Sequence, residues 1–126
     1  MTYDLAVWEG DHPADDASAG RCFTDLYCRY IDMDTGVDHP PAVRIAAYVA
    51  ALLQRWPDMT EDELDISPWC SGPLIDEASG PLFYFGLRWS MAEEASAYAA
   101  ELASSMDLVC FDVSMDKLRS RSSGIG

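Results

Sequence analysis

The sequence predicts an α+β domain: a ferredoxin-like sandwich with an antiparallel four-stranded sheet, and one extra helix inserted after the first strand. Three observations lead there. "TYDLAVW" and "LFYFGLRW" carry strand signals, "LVCFDV" supplies a last strand, and stripes of helical period lie between them. The element order is strand, helix, helix, strand, strand, helix, strand. With one helix removed, this is the split β-α-β arrangement, which sets the last strand beside the first and the first beside "LFYFGLRW". At 126 residues the chain is long enough for one core.

In "TYDLAVW", Tyr3, Leu5 and Val7 alternate with Asp4, Ala6 and Trp8, the pattern of a half-buried strand, and "GDHP" breaks it. From about Pro13 the period turns helical, with Phe23, Leu26, Tyr27, Tyr30 and Ile31 on one stripe. Gly36 and Pro40-Pro41 end that helix. Ile45, Tyr48, Val49, Leu52, Leu53 and Trp56 form the second stripe, stopped by Pro57. Thr60 with Glu63 fits a capping box over a short turn. A strand is expected within "PWCSGPLID", at a sheet edge because of its prolines, and "DEASG" reads as the turn into "LFYFGLRW". Ser90 with Glu93 marks the start of the third helix, whose inward face is Met91, Ala95, Tyr98, Leu102 and Met106. In the last strand Val109, Phe111 and Val113 share one side. Residues 1–116 form the domain, and "KLRSRSSGIG", 117–126, reads as a flexible basic tail.

Twenty-two acids against eight bases give a net charge of -14. Nucleic acid and anionic membrane both repel such a field, whereas cationic partners are drawn to it. No stretch reads as a membrane span or a signal peptide, so the expected setting is cytoplasmic. The cysteines Cys22, Cys28, Cys70 and Cys110 contain no C-x-x-C pair and stand apart from His12 and His39, so no metal site or cofactor is expected.

The alternating strand directions bring three distant acidic stretches to one edge of the sheet. Glu9, Asp11, Asp15 and Asp16 follow the first strand, Asp76 and Glu77 sit at the hairpin, and Asp107 precedes the last strand. No Lys or Arg occurs in any of the three. Asp15 and Asp16 suit a helix N-terminus and Asp76 suits a turn, while Glu9, Asp11 and Glu77 have no such local reason. These seven carboxylates are the candidate binding residues. A second acidic run, "TEDELD", reads as a solvated loop with a cap. On the sheet's other face Ala6, Gly86 and Cys110 are small and lie beside Trp8, Tyr84 and Arg88, which suits either the extra helix or a second subunit in a homodimer.

No catalytic residue is nominated. "IDMDTG" starts like a calcium loop, but its glycine is one place early and position twelve is Val43. It also shares letters with the haloacid-dehalogenase nucleophile motif, yet a helical stripe precedes it instead of a buried strand. There is no nucleophile elbow, Walker loop or dinucleotide fingerprint.

"YDLAVWEG", "RIAAYVAALLQRWPD", "PWCSGPL", "GPLFYFGLRWS" and "LVCFD" together resemble a group of small bacterial single-domain proteins without an assigned activity. The resemblance covers residues 3–112 and implies the domain limits only. In composition the chain is also similar to the immunity proteins that neutralise secreted toxins. The functional expectation is an acidic binding or inhibitor protein, in its most concrete form an immunity protein occluding a basic toxin surface. The alternative is a small-molecule-binding or catalytic domain with a pocket between sheet and helices, walled by Trp69, Tyr84 or Trp89.

Overall fold

The computed structural model describes residues 2–10, 13, 15–32, 40–56, 68–69 and 74–119. Asp11, His12, His39, Cys70, the turn expected at Thr60–Glu63, the "TEDELD" run and the tail from residue 120 lie outside the described residues.

Strand β1 (Thr2–Trp8) leads to helix α1 (Asp16–Tyr27), which runs on into a π-helical turn, Cys28–Asp32. Helix α2 (Val43–Arg55) follows. After a 3-10 turn, Leu74–Glu77, come the two-residue strand β2 (Ala78–Ser79) and β3 (Leu82–Arg88). A second 3-10 turn, Trp89–Met91, opens onto α3 (Ala92–Ser105), β4 (Val109–Asp112) and β5 (Lys117–Arg119). The architecture is α+β, with an antiparallel sheet in the order β2-β3-β1-β4-β5.

Among the described residues the sheet has five strands where four were expected. Lys117–Arg119, assigned above to the tail, pair with Cys110–Asp112 as an edge strand. The Ser- and Gly-rich composition beyond Arg119 hid the fact that Leu118 has an apolar surface to reach: it packs beside Phe111 and Val109. Of the strand expected in "PWCSGPLID", the described residues show one bridge, Trp69 to Leu87, and a 3-10 turn at Leu74–Glu77; residues 70–73 lie outside the described residues. Ala78 and Ser79, expected as part of a turn, are themselves β2, and the reversal falls at Gly80, whose φ of +57° suits a residue without a Cβ.

Two apolar layers sandwich the sheet. On one face, Leu5, Val7, Phe83, Phe85 and Leu87 pack against the stripe Ile45, Tyr48, Val49, Leu52 and Trp56 of α2 and the alanines of α3. Helix α3 buries Ala92, Ala95, Ser96, Ala99 and Ala103, side chains small enough to bring its backbone close to the strands. The space left is filled by large rings: Trp69 meets Trp56 edge-on at 5.8 Å and Phe85 at 6.2 Å. The buried Tyr48 hydroxyl donates to the Ala99 carbonyl at 2.7 Å, joining α2 to α3.

Helix α1 covers the other face and crosses the strands from edge to edge. Asp16 at its start accepts a hydrogen bond from the Leu118 backbone N–H of β5. Phe23, midway, lies 5.8 Å from Phe111, 6.4 Å from Trp8 and 5.4 Å from Tyr84. At the far end the Tyr30 carbonyl accepts from the Ser79 hydroxyl of β2. The small residues of this face therefore receive the chain's own extra helix. Cys110 is a correction: it faces the main core, while Val109 and Phe111 face α1. The pairs Ala6↔Phe111 and Val7↔Cys110 set this phase. Every residue of β4 is buried, so apolar alternation could not reveal it.

The Ser90 capping box is also corrected. Ser90 lies inside the 3-10 turn, Met91 takes the N-cap position without a side-chain cap, and the helix proper begins at Ala92. Among the described residues, no helix is long and apolar enough to cross a membrane.

Candidate functional site

The double register at Trp8, opposite both Leu82 and Val109, fixes which ends of the strands meet. Glu9 follows directly and donates its backbone N–H to the Pro81 carbonyl at 3.1 Å, against the hairpin. Asp107 stands two residues before Val109, at the same end of the sheet. Glu77 directly precedes β2 at the opposite edge, two residues inward of Ser79, which pairs with Leu82 at this end. Across the strand spacing, Asp107 and Glu77 are separated laterally by about 14 Å. Asp11 and the side chain of Asp76 lie outside the described residues.

Three of the candidate carboxylates have work in the fold. Asp15 is the N-cap of α1, accepting the Ser18 backbone N–H at 2.8 Å. That bond, with help from the Ser18 hydroxyl and Arg21, holds the Asp15 carboxyl below its usual range. Asp16 anchors β5 and so sits at the β5 edge, inward of the sheet end. Asp107 is the residue after the helix C-cap in a Schellman ending of α3. Its φ is +59°, its N–H donates to Ser104, and the Leu108 N–H donates to the Ala103 carbonyl at 2.8 Å. Asp15, Asp16 and Asp107 remain exposed, so each still adds its charge to the surface.

Concave features lie elsewhere among the described residues. A groove of about 800 Å³ runs along α1 beside the β4–β5 turn, lined by Asp16, Gly20, Arg21, Thr24, Asp25 and Asp116 among others. Its Asp25 is paired with Arg29 at 3.3 Å. A cavity of about 400 Å³ lies between the start of β1 and the start of α3, lined by Tyr3, Trp89, Ala92, Glu93, Ser96 and Ala97. The Tyr3 and Trp89 ring centres are 5.7 Å apart with 51° between the planes. Behind Tyr3, its hydroxyl donates to the buried carboxylate of Asp112, which also accepts the Met115 backbone N–H at 2.9 Å.

Of the three aromatic walls foreseen, only Trp89 lines this cavity. Trp69 is a core side chain, and Tyr84 packs under α1 with its hydroxyl donating to Asp4 at 3.0 Å. Asp112 was missed: it lies in a strand read as apolar, and the only signal was an Asp placed three residues before the N–H it accepts. Among the described residues, no three His, Cys, Asp or Glu side chains gather as they would around a metal ion. No family model, curated protein or solved structure matches the chain.

Proposed function

We propose that the chain is an acidic binding protein that docks on a basic protein, an inhibitor in the manner of a toxin-immunity protein, working in the cytoplasm. The observation that supports it is the double register at Trp8, which sets Glu9 and Asp107 at one end of the sheet, with Glu77 just inward of it at the opposite edge, in a chain of net charge -14. Carboxylates at this end would steer a cationic surface toward it and accelerate encounter. The proposal takes the fold as a ferredoxin-like sandwich. In support, the order β2-β3-β1-β4, with α2 after β1 and α3 between β3 and β4, follows the split β-α-β pattern, with α1 and β5 as additions.

The test combines Glu9→Lys, Glu77→Lys and Asp107→Asn, the last chosen because asparagine also tolerates a positive φ. A basic partner captured by the native protein should associate with the variant at least about tenfold more slowly at low salt, with a flatter salt dependence. An unchanged association rate would end the reading.

A further inference from the structure

A different constellation lies at the opposite end of β1 from Glu9, and it stands independently of the docking reading. We propose that the corner formed by Tyr3, Trp89 and Glu93 binds a small organic cation, a compound bearing an alkylammonium or guanidinium group.

Two aromatic faces and a carboxylate are the chemistry that recognises such a group, because the ring quadrupoles and the negative charge both attract it. Trp89 is 57% exposed, one of the few large apolar side chains that the fold leaves open. The tilt of 51° between its ring and that of Tyr3 makes a corner instead of a closed stack. Tyr3 is held in place by its hydrogen bond to Asp112, and donating to a carboxylate enriches the ring in electron density. Glu93, in the first turn of α3, supplies the carboxylate, and Ala92, Ser96 and Ala97 complete the lining. The cavity, about 400 Å³, falls within the range of small-molecule sites and exceeds what the tip of one side chain would fill.

The protein itself shows that these residue types hold a guanidinium. Arg55 places its guanidinium carbon 4.2 Å from the Trp56 ring centre and 6.0 Å from that of Tyr98, with its Nη2 3.2 Å from Glu94. A Trp, a Tyr and a Glu, namely Trp56 at the end of α2 with Tyr98 and Glu94 of α3, thus already hold an internal cation.

Calorimetric titration at constant ionic strength tests this with choline, with methylguanidinium and with the uncharged carbon isostere of choline. At least one of the cations should bind at a single saturable site, about tenfold more tightly than the neutral isostere. Trp89→Ala should weaken that binding about tenfold and Glu93→Gln by a smaller factor, while Trp89→Phe keeps more affinity than Trp89→Ala. Both substituted side chains are exposed, so neither variant threatens folding. Failure of both cations to saturate, equal binding of the isostere, or unchanged affinity in Trp89→Ala would each overturn the proposal. Binding by an arginine-containing peptide alone would overturn it as well, in favour of a protein-docking corner.

Discussion

Tyr3 of β1 donates its hydroxyl hydrogen to Asp112 of β4, a carboxylate only 1% exposed in a strand whose other residues are all apolar. A charge at that depth is costly unless donors surround it. The Met115 N–H on the other oxygen makes Asp112 the hinge on which the β4–β5 turn is built. Tyr3→Phe should therefore lower unfolding free energy by about 1–2 kcal/mol. In a double-mutant cycle with Asp112→Asn, urea denaturation should show a coupling of at least about 0.5 kcal/mol. Strict additivity would mean that the bond adds nothing.

Asp107 bears both on stability and on the acidic end. It occupies a left-handed conformation in which glycine is favoured and an aspartate side chain is tolerated at a cost. Asp107→Gly should raise stability by about 0.5–1 kcal/mol while removing one of the carboxylates near Glu9. A higher denaturation midpoint with slower association to a basic partner would separate the two roles of this residue. A lower midpoint would show that the side chain's own contacts outweigh the backbone term.

Much of this fold was legible because apolar periodicity records which side of an element is buried. The α2 stripe and the alternation of Tyr3, Leu5 and Val7 read directly, and both strand neighbours of β1 followed from them. Where periodicity vanishes, so did the reading. In β4, buried on both faces, the phase came out reversed, and Asp112 was hidden among its neighbours. A three-residue edge strand such as β5 is too short to show a pattern and depends on a tertiary bond, Leu118 N–H to Asp16. The candidate acids were legible as charge but not as structure. Capping by Asp15 follows a known preference, whereas the left-handed ending at Asp107 is held by hydrogen bonds back to Ala103 and Ser104 that composition does not display.

Gly80 ties the hairpin to the helix on the other face. A Cβ built there would come within 2.9 Å of the Tyr30 ring, and the φ of +57° adds backbone strain. Gly80→Ala should cost about 1–2 kcal/mol or more. Because the clash is with the side chain of Tyr30, the cost of Gly80→Ala combined with Tyr30→Ala should fall short of the sum of the single costs in chemical denaturation. Equal sums would place the whole penalty in the backbone.

Tyr84 predicts how the fold behaves in alkali. Partial burial, reinforced by the hydrogen bond it donates to Asp4 and by that carboxylate's charge, pushes its phenol up to about 12. An unfolded tyrosine titrates near 10. Below that value both states hold the proton and the contribution of Tyr84 to stability is fully present. Between the two values the folded protein binds more protons than the unfolded chain, so stability falls as pH rises, until the contribution is lost past the folded value. Tyr48, fully buried, is shifted in the same direction by desolvation. Absorbance titration of the six tyrosines should thus show at least two ionising only at the alkaline extreme, with the last steps coinciding with unfolding. Tyr84→Phe should remove one of those late steps and shallow the decline of the denaturation midpoint between about pH 10 and 12. If all the tyrosines ionised together near the ordinary value while the fold persisted, the bond to Asp4 and the cover provided by α1 would not hold in solution.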